Sequence, residues 1–326
     1  MYEFLRDNYV EDEDHMFRFD YSKEFLKWHL TAPGYLKQWH LCILKENTKE
    51  MVGFISAIPV HIDIYNKEVP MVEINFLCVR HTYRTKRMAA VLIKEITRRV
   101  HLQNIWQAVY TAGVLLPRPI STCTYYHRNL NIKKLLDVKF TYLSPQLNIS
   151  RAKSIYKIAK DTTIVGLRPF EKRDIEGVFK LLNNYLAKFK VRPFYSVDEV
   201  AHWFTPRKNV IFSYVVESYE SGEITDFISF YSLPSSILNH DVHKTLYAAY
   251  SFFNVATSVS FKELMRNALI LANSLKFDVY NCLNVMDNEN VFKDLLFGQG
   301  DGSLKYYFYN YACPEVKPNE LSIVLM

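Results

Sequence analysis

Apolar and polar positions change period several times along the chain, and each change predicts an element. The runs Trp39–Lys45, Val52–Tyr65 and Met71–Val79 are rich in Val, Ile and aromatic residues, which predicts three strands. Between Arg84 and His101 the period lengthens. Met88, Leu92, Ile96 and Val100 recur every four residues, with Lys94, Glu95, Arg98 and Arg99 on the other side, which predicts an amphipathic helix. A strand at Ile105–Thr111 follows. Upstream, Ser22 opens a helix through Leu30 that Pro33-Gly34 terminates.

The second half repeats the plan. Helices at Lys172–Phe189 and Val197–Phe204 precede strands at Val210–Glu217, Ile224–Leu233 and Tyr247–Val255. A helix at Phe261–Leu275 and strands at Phe277–Leu283 and Leu304–Tyr311 complete it. Two β-β-β-α-β units, parted by the polar stretch Lys153–Thr163, predict a fold duplicated in topology. A length of 326 residues accommodates two domains of roughly 100–200 residues each.

Composition narrows the class. Hydrophobic residues at 49% and charged residues at 23% exclude intrinsic disorder. No apolar run approaches the ~18 residues of a membrane-spanning helix, and the acidic start MYEFLRDNYVEDED excludes a signal or transit peptide. Cys42, Cys78, Cys123, Cys282 and Cys313 are scattered, without metal-binding spacing, and read as reduced thiols in the cytosol. A net charge of +6 without a basic block points away from nucleic acid. Aromatics at 15% predict either a well-packed core or wide, half-wet pockets.

Three segments carry candidate chemistry. The junction V-R-H-T-Y-R-T-K-R-M, from Val79, places Arg80, Arg84, Thr85, Lys86 and Arg87 where a strand feeds a helix. Cations oppose the dipole at a helix N-terminus, so four of them there favour a bound anion over a plain solvated turn. Gly298, Gly300 and Gly302 lie in F-G-Q-G-D-G, but a strand-like run follows instead of a helix, so the segment reads as a turn beside a cleft, not a dinucleotide fingerprint. The run Glu11–Asp14, flanked by Tyr9, Val10, Phe17 and Phe19, is either a solvated face or an acidic groove for a basic peptide. None of the ten histidines falls in a metal-binding pattern, and a structural role is the default reading for each.

Several longer segments resemble eukaryotic glycylpeptide N-myristoyltransferases. In the first half these are R-D-N-Y-V-E-D-E-D-H-M-F-R-F (from Arg6), G-F-I-S-A-I-P (from Gly53), E-I-N-F-L-C-V (from Glu73), K-E-I-T-R-R-V (from Lys94) and Q-A-V-Y-T-A-G-V (from Gln107). In the second they are D-F-I-S-F-Y-S-L-P-S (from Asp226), A-A-Y-S-F-F-N-V (from Ala248) and F-G-Q-G-D-G-S-L-K-Y-Y-F-Y-N (from Phe297), so the match spans the whole chain. The resemblance implies an α/β fold of two fused acetyltransferase-like (GNAT) halves, related by a pseudo-twofold axis around a saddle-shaped mixed sheet. Residues 1–155 would bind myristoyl-CoA and residues 156–326 would supply most of the peptide groove. The implied reaction is direct addition–elimination, moving myristate to the N-terminal glycine of M-G-x-x-x-[ST] proteins. Myristoyl-CoA is then a co-substrate, with no tightly bound cofactor and no metal, and the enzyme is a cytosolic monomer.

By the same resemblance, the backbone N–H groups of Phe76 and Leu77 form an oxyanion hole. One such donor is worth ~3–4 kcal/mol. A bulge at Asn75–Cys78 would aim both amides one way. Cys78 and Val79 continue along the donor, with Cys78 as a wall residue, and Arg84, Thr85, Lys86, Arg87, Met88, Ala89 and Ala90 surround its phosphates. Tyr9, Val10, Asp12, Asp14, Phe17 and Phe19 match the peptide groove, the carboxylates facing a substrate lysine. Gly113, Tyr125 and His127, with Thr111, match positions near the glycine and the preferred serine, while Tyr250, Asn284 and the Gly298–Gly302 turn close the other side. Asn75 and Thr111 hold the glycine amine, and the main-chain carboxylate of Met326 is the base. The apolar ending L-S-I-V-L-M is predicted to run inward.

Three departures accompany the match. A Tyr-x-Phe-Trp arm of the family would lie upstream of Met1, which predicts weaker acyl-CoA binding; Asn284 replaces an acidic residue; and Tyr126 and Tyr311 replace tryptophans. Two alternatives stay open: an acyltransferase for other chain lengths or amines, and a binding protein that keeps the groove without turnover.

Overall fold

In the computed structural model, which describes all 326 residues, the chain enters through α1 (Tyr2–Asn8), β1 (Phe17–Phe19) and α2 (Lys23–Leu30). Then come β2 (His40–Leu44), β3 (Met51–Ile64), β4 (Lys67–Val79), α3 (Met88–His101), β5 (Ala108–Ala112) and β6 (Ser121–Asn129). Helices α4 (Ile132–Asp137) and α5 (Ile149–Ile155) lead to β7 (Leu167–Pro169), α6 (Ile175–Leu186), β8 (Val191–Pro193) and α7 (Val197–Phe204). The second series is β9 (Ile211–Glu217), β10 (Ile224–Ser232), β11 (Ser235–Ile237), β12 (Thr245–Leu246), β13 (Ala248–Val255), α8 (Phe261–Ser274) and β14 (Val279–Leu283). Helix α9 (Glu289–Phe292) and β15 (Gly298–Tyr309) end it.

The large sheet runs β2-β3-β4-β5-β15-β6-β14-β13-β10-β9-β7, with β8 added on β3. Its neighbours are antiparallel except β4/β5 and β13/β14, each a parallel pair bridged by one helix. The order is a palindrome. The unit β2-β3-β4-α3-β5 is matched by β9-β10-β13-α8-β14, and the two exchange their last strands: β6 pairs with β14, and β15 with β5. On one face, α3 lays Leu92, Ile96 and Val100 over Trp39, Ile55 and Val72. Helix α8 does the same with Leu264, Ala268 and Leu269 over Ile228, Phe230 and Tyr280. A core of 52 buried residues, including Phe25, Trp28, Phe76, Phe204, Phe227 and Tyr306, joins both units.

Some boundaries differ from the sequence reading. The helix expected from Arg84 begins at Met88; His81–Lys86 is a 3-10 turn and Arg87 is left-handed (φ 55°). That charged run has no apolar stripe to bury, so only Met88 onward gains from lying on the sheet. Lys172–Asp174 is likewise a 3-10 turn, closed by a Glu171/Asp174 capping box, and its helix starts at Ile175. The strand expected from Ile105 starts at Ala108, and the one expected from Phe277 starts at Val279. Gly298–Gly302 is not a turn: it opens β15, with a register irregularity against β6 between Gln299 and Ser303. Strand β6 itself, S-T-C-T-Y-Y-H-R-N, escapes a reading based on apolar runs because it is polar along much of its length. The polar stretch between the halves is partly helical, since α5 runs into it.

Candidate active site

Strand β4 carries an interruption that organises the site. Asn75 pairs with Ser56 and Cys78 with Phe54, which leaves Phe76 and Leu77 without register partners, and Phe76 has φ 56°. This is a bulge whose central residue sits in the left-handed region. The Phe76 ring is fully buried, edge-on to Tyr21 (5.0 Å) and His29 (5.1 Å), whereas Leu77 is 38% exposed. The Phe76 N–H donates to Asn75 Oδ1 at 2.8 Å. Asn75 Nδ2 in turn donates to the main-chain oxygen of Met326 and lies 3.3 Å from Glu73 Oε1. Buried Leu321, Ser322 and Ile323 bring Met326 there, with the Ser322 N–H donating to the Val191 carbonyl at 2.9 Å.

Leu77 lines two clefts. One, about 530 Å³, is bounded by Asn8, Tyr9, Val10, Cys78, Val79, His81, Arg84 and Ala89. The other, about 400 Å³, is mostly apolar and lies between β4, β5 and α3, with Ile74, Ile93, Thr97, Tyr110, Thr111 and Val114 in its walls. Burial pushes the Cys78 thiol up to about 12, opposed only in part by Arg84. It is therefore protonated at neutral pH, a wall and not a nucleophile. Of the four junction cations, Arg80 pairs with Glu50 at 2.6 Å, and Arg84 donates to the carbonyls of Val79 (3.2 Å) and Asn8 (3.0 Å). Thr85, Lys86 and Arg87 are exposed, Lys86 lying 4.8 Å over the Tyr83 ring. Met88 and Ala89 are half-buried and Ala90 exposed at the start of α3.

An aromatic wall extends from the bulge. Tyr9 lies 5.9 Å from Phe76, Phe19 6.5 Å from Tyr250, Tyr125 6.2 Å from Tyr250, and Tyr125 stacks on His127 at 6.5 Å. Phe17 and His127 meet at Phe140, at 5.7 and 5.3 Å. Burial raises the Tyr125 and Tyr250 phenols, Tyr250 to about 12, and lowers His127 despite its 2.7 Å hydrogen bond with Asn281. His127 is thus a neutral imidazole in this wall. A Cβ on Gly300 would fall 2.2 Å from His127 Nε2, so glycine is required for β15 to pass so close.

Other predicted positions do different work. Asp12 Oδ1 accepts from the N–H groups of Met16 (2.8 Å) and Phe17 (2.7 Å), and Glu11 binds Arg18 and His15. Part of the acidic run therefore builds the turn that presents Phe17 and Phe19, while Val10 and Asp14 stay exposed. Asn284 Oδ1 accepts the Thr124 N–H at 2.8 Å, fastening β14 to β6. Gly113 is exposed, its carbonyl accepting from Lys305 Nζ at 2.6 Å, and Thr111 faces Tyr306 in the ladder. Residue reading missed His29, Tyr21, Phe140, Asn281 and Glu73. Glu73 had a signal: it is the one charge in V-P-M-V-E-I-N-F-L-C-V, and buried carboxylates are rare without a purpose.

A sheet palindrome with two helix-bridged parallel pairs is the acetyltransferase architecture. A GCN5-related N-acetyltransferase from Anabaena variabilis matches it with TM-score 0.50 and 10% identity, over 94% of this chain and 68% of that one, a likeness of fold alone. Residues 1–123 match the N-terminal domain, and residues 137–323 the C-terminal domain, of myristoyl-CoA:protein N-myristoyltransferase. The chain belongs to that family. Saccharomyces cerevisiae N-myristoyltransferase with bound myristoyl-CoA superposes with TM-score 0.95 and 40% identity, over all of this chain and 81% of that one. The glycylpeptide N-tetradecanoyltransferases of Plasmodium falciparum (isolate 3D7) and Arabidopsis thaliana are each 51% identical over 100% of this chain, which spans 79% and 75% of them. The protein is accordingly an acyltransferase with myristoyl-CoA as its acyl donor. No helix is long and apolar enough to cross a membrane, and no group of three or more His, Cys, Asp or Glu side chains is arranged to hold a metal.

Proposed function

We propose that this protein moves myristate from myristoyl-CoA to the N-terminal glycine of M-G-x-x-x-[ST] proteins by direct attack, acting as a cytosolic monomer. Residues 1–155 would form the donor half and residues 156–326 most of the peptide groove. The observation that carries the reading is the convergence of the β4 bulge, two clefts and the main-chain oxygen of Met326 beside one aromatic wall. The apolar cleft suits the acyl chain, and the cleft along Cys78 and Val79 suits the pantetheine, with Lys86 and Arg87 toward the phosphates.

At the bulge the thioester oxygen takes the Phe76 and Leu77 N–H groups, replacing the Asn75 Oδ1 contact. The substrate glycine arrives as an ammonium with a reference pKa near ~8. The Met326 carboxylate, oriented by Asn75, accepts one proton, with Thr111 helping to hold the amine. The freed amine adds to the thioester carbon, and the bulge amides hold the negative oxygen. Collapse breaks the C–S bond and expels the CoA thiolate, which takes up the extra proton carried by the new amide nitrogen. The acidic turn, through Asp14, faces a substrate lysine. Labelled myristoyl-CoA and a Gly-Asn-Ala-Ala-Ser peptide test the reading, with turnover expected to fall for shorter or longer acyl chains. A short C-terminal extension should lower kcat by ~10²–10⁴ while donor binding persists. Unchanged kcat in the extended protein would refute the carboxylate as base.

A further inference from the structure

Behind Asn75 lies a buried polar pair that the reaction as described does not use. His29 on α2 is 1% exposed and Glu73 on β4 is 7% exposed, and His29 Nε2 lies 3.2 Å from Glu73 Oε1. The same Oε1 is 3.3 Å from Asn75 Nδ2, which itself lies 3.4 Å from His29 Nε2, so the three side chains form one cluster. No lysine or arginine pairs with Glu73; His29 is its one ion-pair partner. A buried carboxylate held only by an imidazole and an amide is costly to keep, so its retention calls for a task.

The hydrogen-bonding inventory fixes the direction of this chain. Asn75 Oδ1 is committed to the Phe76 N–H, so its Nδ2 hydrogens are the ones that face Glu73 and Met326. His29 Nδ1 is buried with no partner, in a box made by Phe25, Phe76 and Trp203. A hydrogen on that nitrogen would be an orphaned donor, so the hydrogen belongs on Nε2, which donates it to Glu73. The order is therefore His29 to Glu73, Asn75 to Glu73, and Asn75 to the Met326 carboxylate.

We propose that His29 and Glu73 are positioning residues that lock the Asn75 amide, and through it the Met326 carboxylate, in the orientation needed to take the glycine proton. The proposal rests on the base assignment made above. Its weight comes from the donor step. When the thioester oxygen claims the Phe76 N–H, Asn75 Oδ1 loses its partner, and Glu73 becomes the contact that stops the amide from turning over. His29 then keeps Glu73 from swinging away. Placement errors of about 1 Å in a reacting group can cost ~10²-fold.

The test compares His29→Leu and His29→Met, which remove the donor at similar bulk, with His29→Gln, whose amide N–H can reach Glu73. With either donor-less variant, kcat should fall ~10–100-fold, the KM for peptide and the Kd for myristoyl-CoA staying within ~3-fold. His29→Gln should recover kcat to within ~3-fold of the parent. If one apolar variant does not fold, the other reads the same loss. In the C-terminally extended protein, His29→Met should cause no further loss, because both changes act through one carboxylate. Parent-like kcat in His29→Met, an equal loss in His29→Gln, or an additive loss in the extended protein would overturn the positioning role. An extension that leaves kcat intact sinks the base assignment instead, and the two failures are thereby told apart.

Discussion

Cys78 stands next to the bulge amides, where a reader would look first for an acyl-enzyme nucleophile. Its thiol, pushed up to about 12 by burial, argues against that, as do those of Cys123 and Cys282. Cys78→Ala should leave kcat within ~3-fold of the parent, whereas loss of a true covalent nucleophile costs ~10⁴–10⁶. Limiting iodoacetamide, read by mass spectrometry, should mark exposed Cys42 long before Cys78. A second residue sets an acid limit. His202 Nε2 donates to the Trp28 carbonyl at 2.8 Å, and the Trp28 indole donates back to the His202 carbonyl at 2.9 Å, tying α2 to α7. Burial lowers His202 to about 4, against about 6.5 when unfolded. The unfolded chain therefore binds the extra proton first. The His202 contribution to stability is complete above pH ~6.5 and is lost progressively as the pH falls toward ~4. His202→Gln, which keeps a donor for Trp28, should show a smaller fall in Tm from pH 7 to pH 5 than the parent. Equal falls would refute this. Neither the thiol's burial nor the reciprocal Trp28–His202 link is written in residue type; both depend on partners 70 to 174 positions away.

At the scale of elements, periodicity identified what buries a regular stripe and missed what does not. Helix α3 announced its face through Leu92, Ile96 and Val100, and Val197–Phe204 was legible end to end because Ser196 and Glu199 form a capping box around an apolar turn. Strand β6 and the glycine-rich start of β15 were not legible, since their pairing depends on each other and on β14 rather than on a local pattern. There the sequence suggested a turn, and the structure uses glycine for close approach. Gly300→Ala would put a methyl 2.2 Å from His127 Nε2 and 2.7 Å from its Cδ2. His127 has little room to retreat, being bonded to Asn281 and set edge-on to Phe140. The substitution should raise the peptide KM ~10-fold, equivalent to ~1.4 kcal/mol. Myristoyl-CoA binding, measured by calorimetry, should not change. An unchanged peptide KM would remove His127 from the groove.

The whole molecule reads in sequence as two like units joined by a polar stretch, and the topology of each is borne out. What the repeat conceals is that neither unit is self-contained. The first surrenders β6 to β14 and the second surrenders β15 to β5, so the centre of the sheet is built from exchanged strands. The largest core likewise draws Phe25, Trp28 and Phe76 from one unit and Phe204, Phe227 and Tyr250 from the other. A chain cut between residues 155 and 156 would leave β6 and β15 with no partner strand and β5 and β14 with one open edge each, the kind of edge that recruits other chains. Each piece made alone should therefore aggregate or stay unfolded, while the two made together should assemble one to one and recover acyl transfer. The uncut chain should unfold in one transition, with far-ultraviolet circular dichroism and tryptophan fluorescence coinciding. A monomeric piece with its own cooperative melt would show that the exchange is a late docking of independent domains. The physical consequence bears on chemistry as well as folding. Asn75 comes from the first unit and Met326 from the second, so their contact requires the two units to be docked, with the last residues held on β8, which itself pairs with β3.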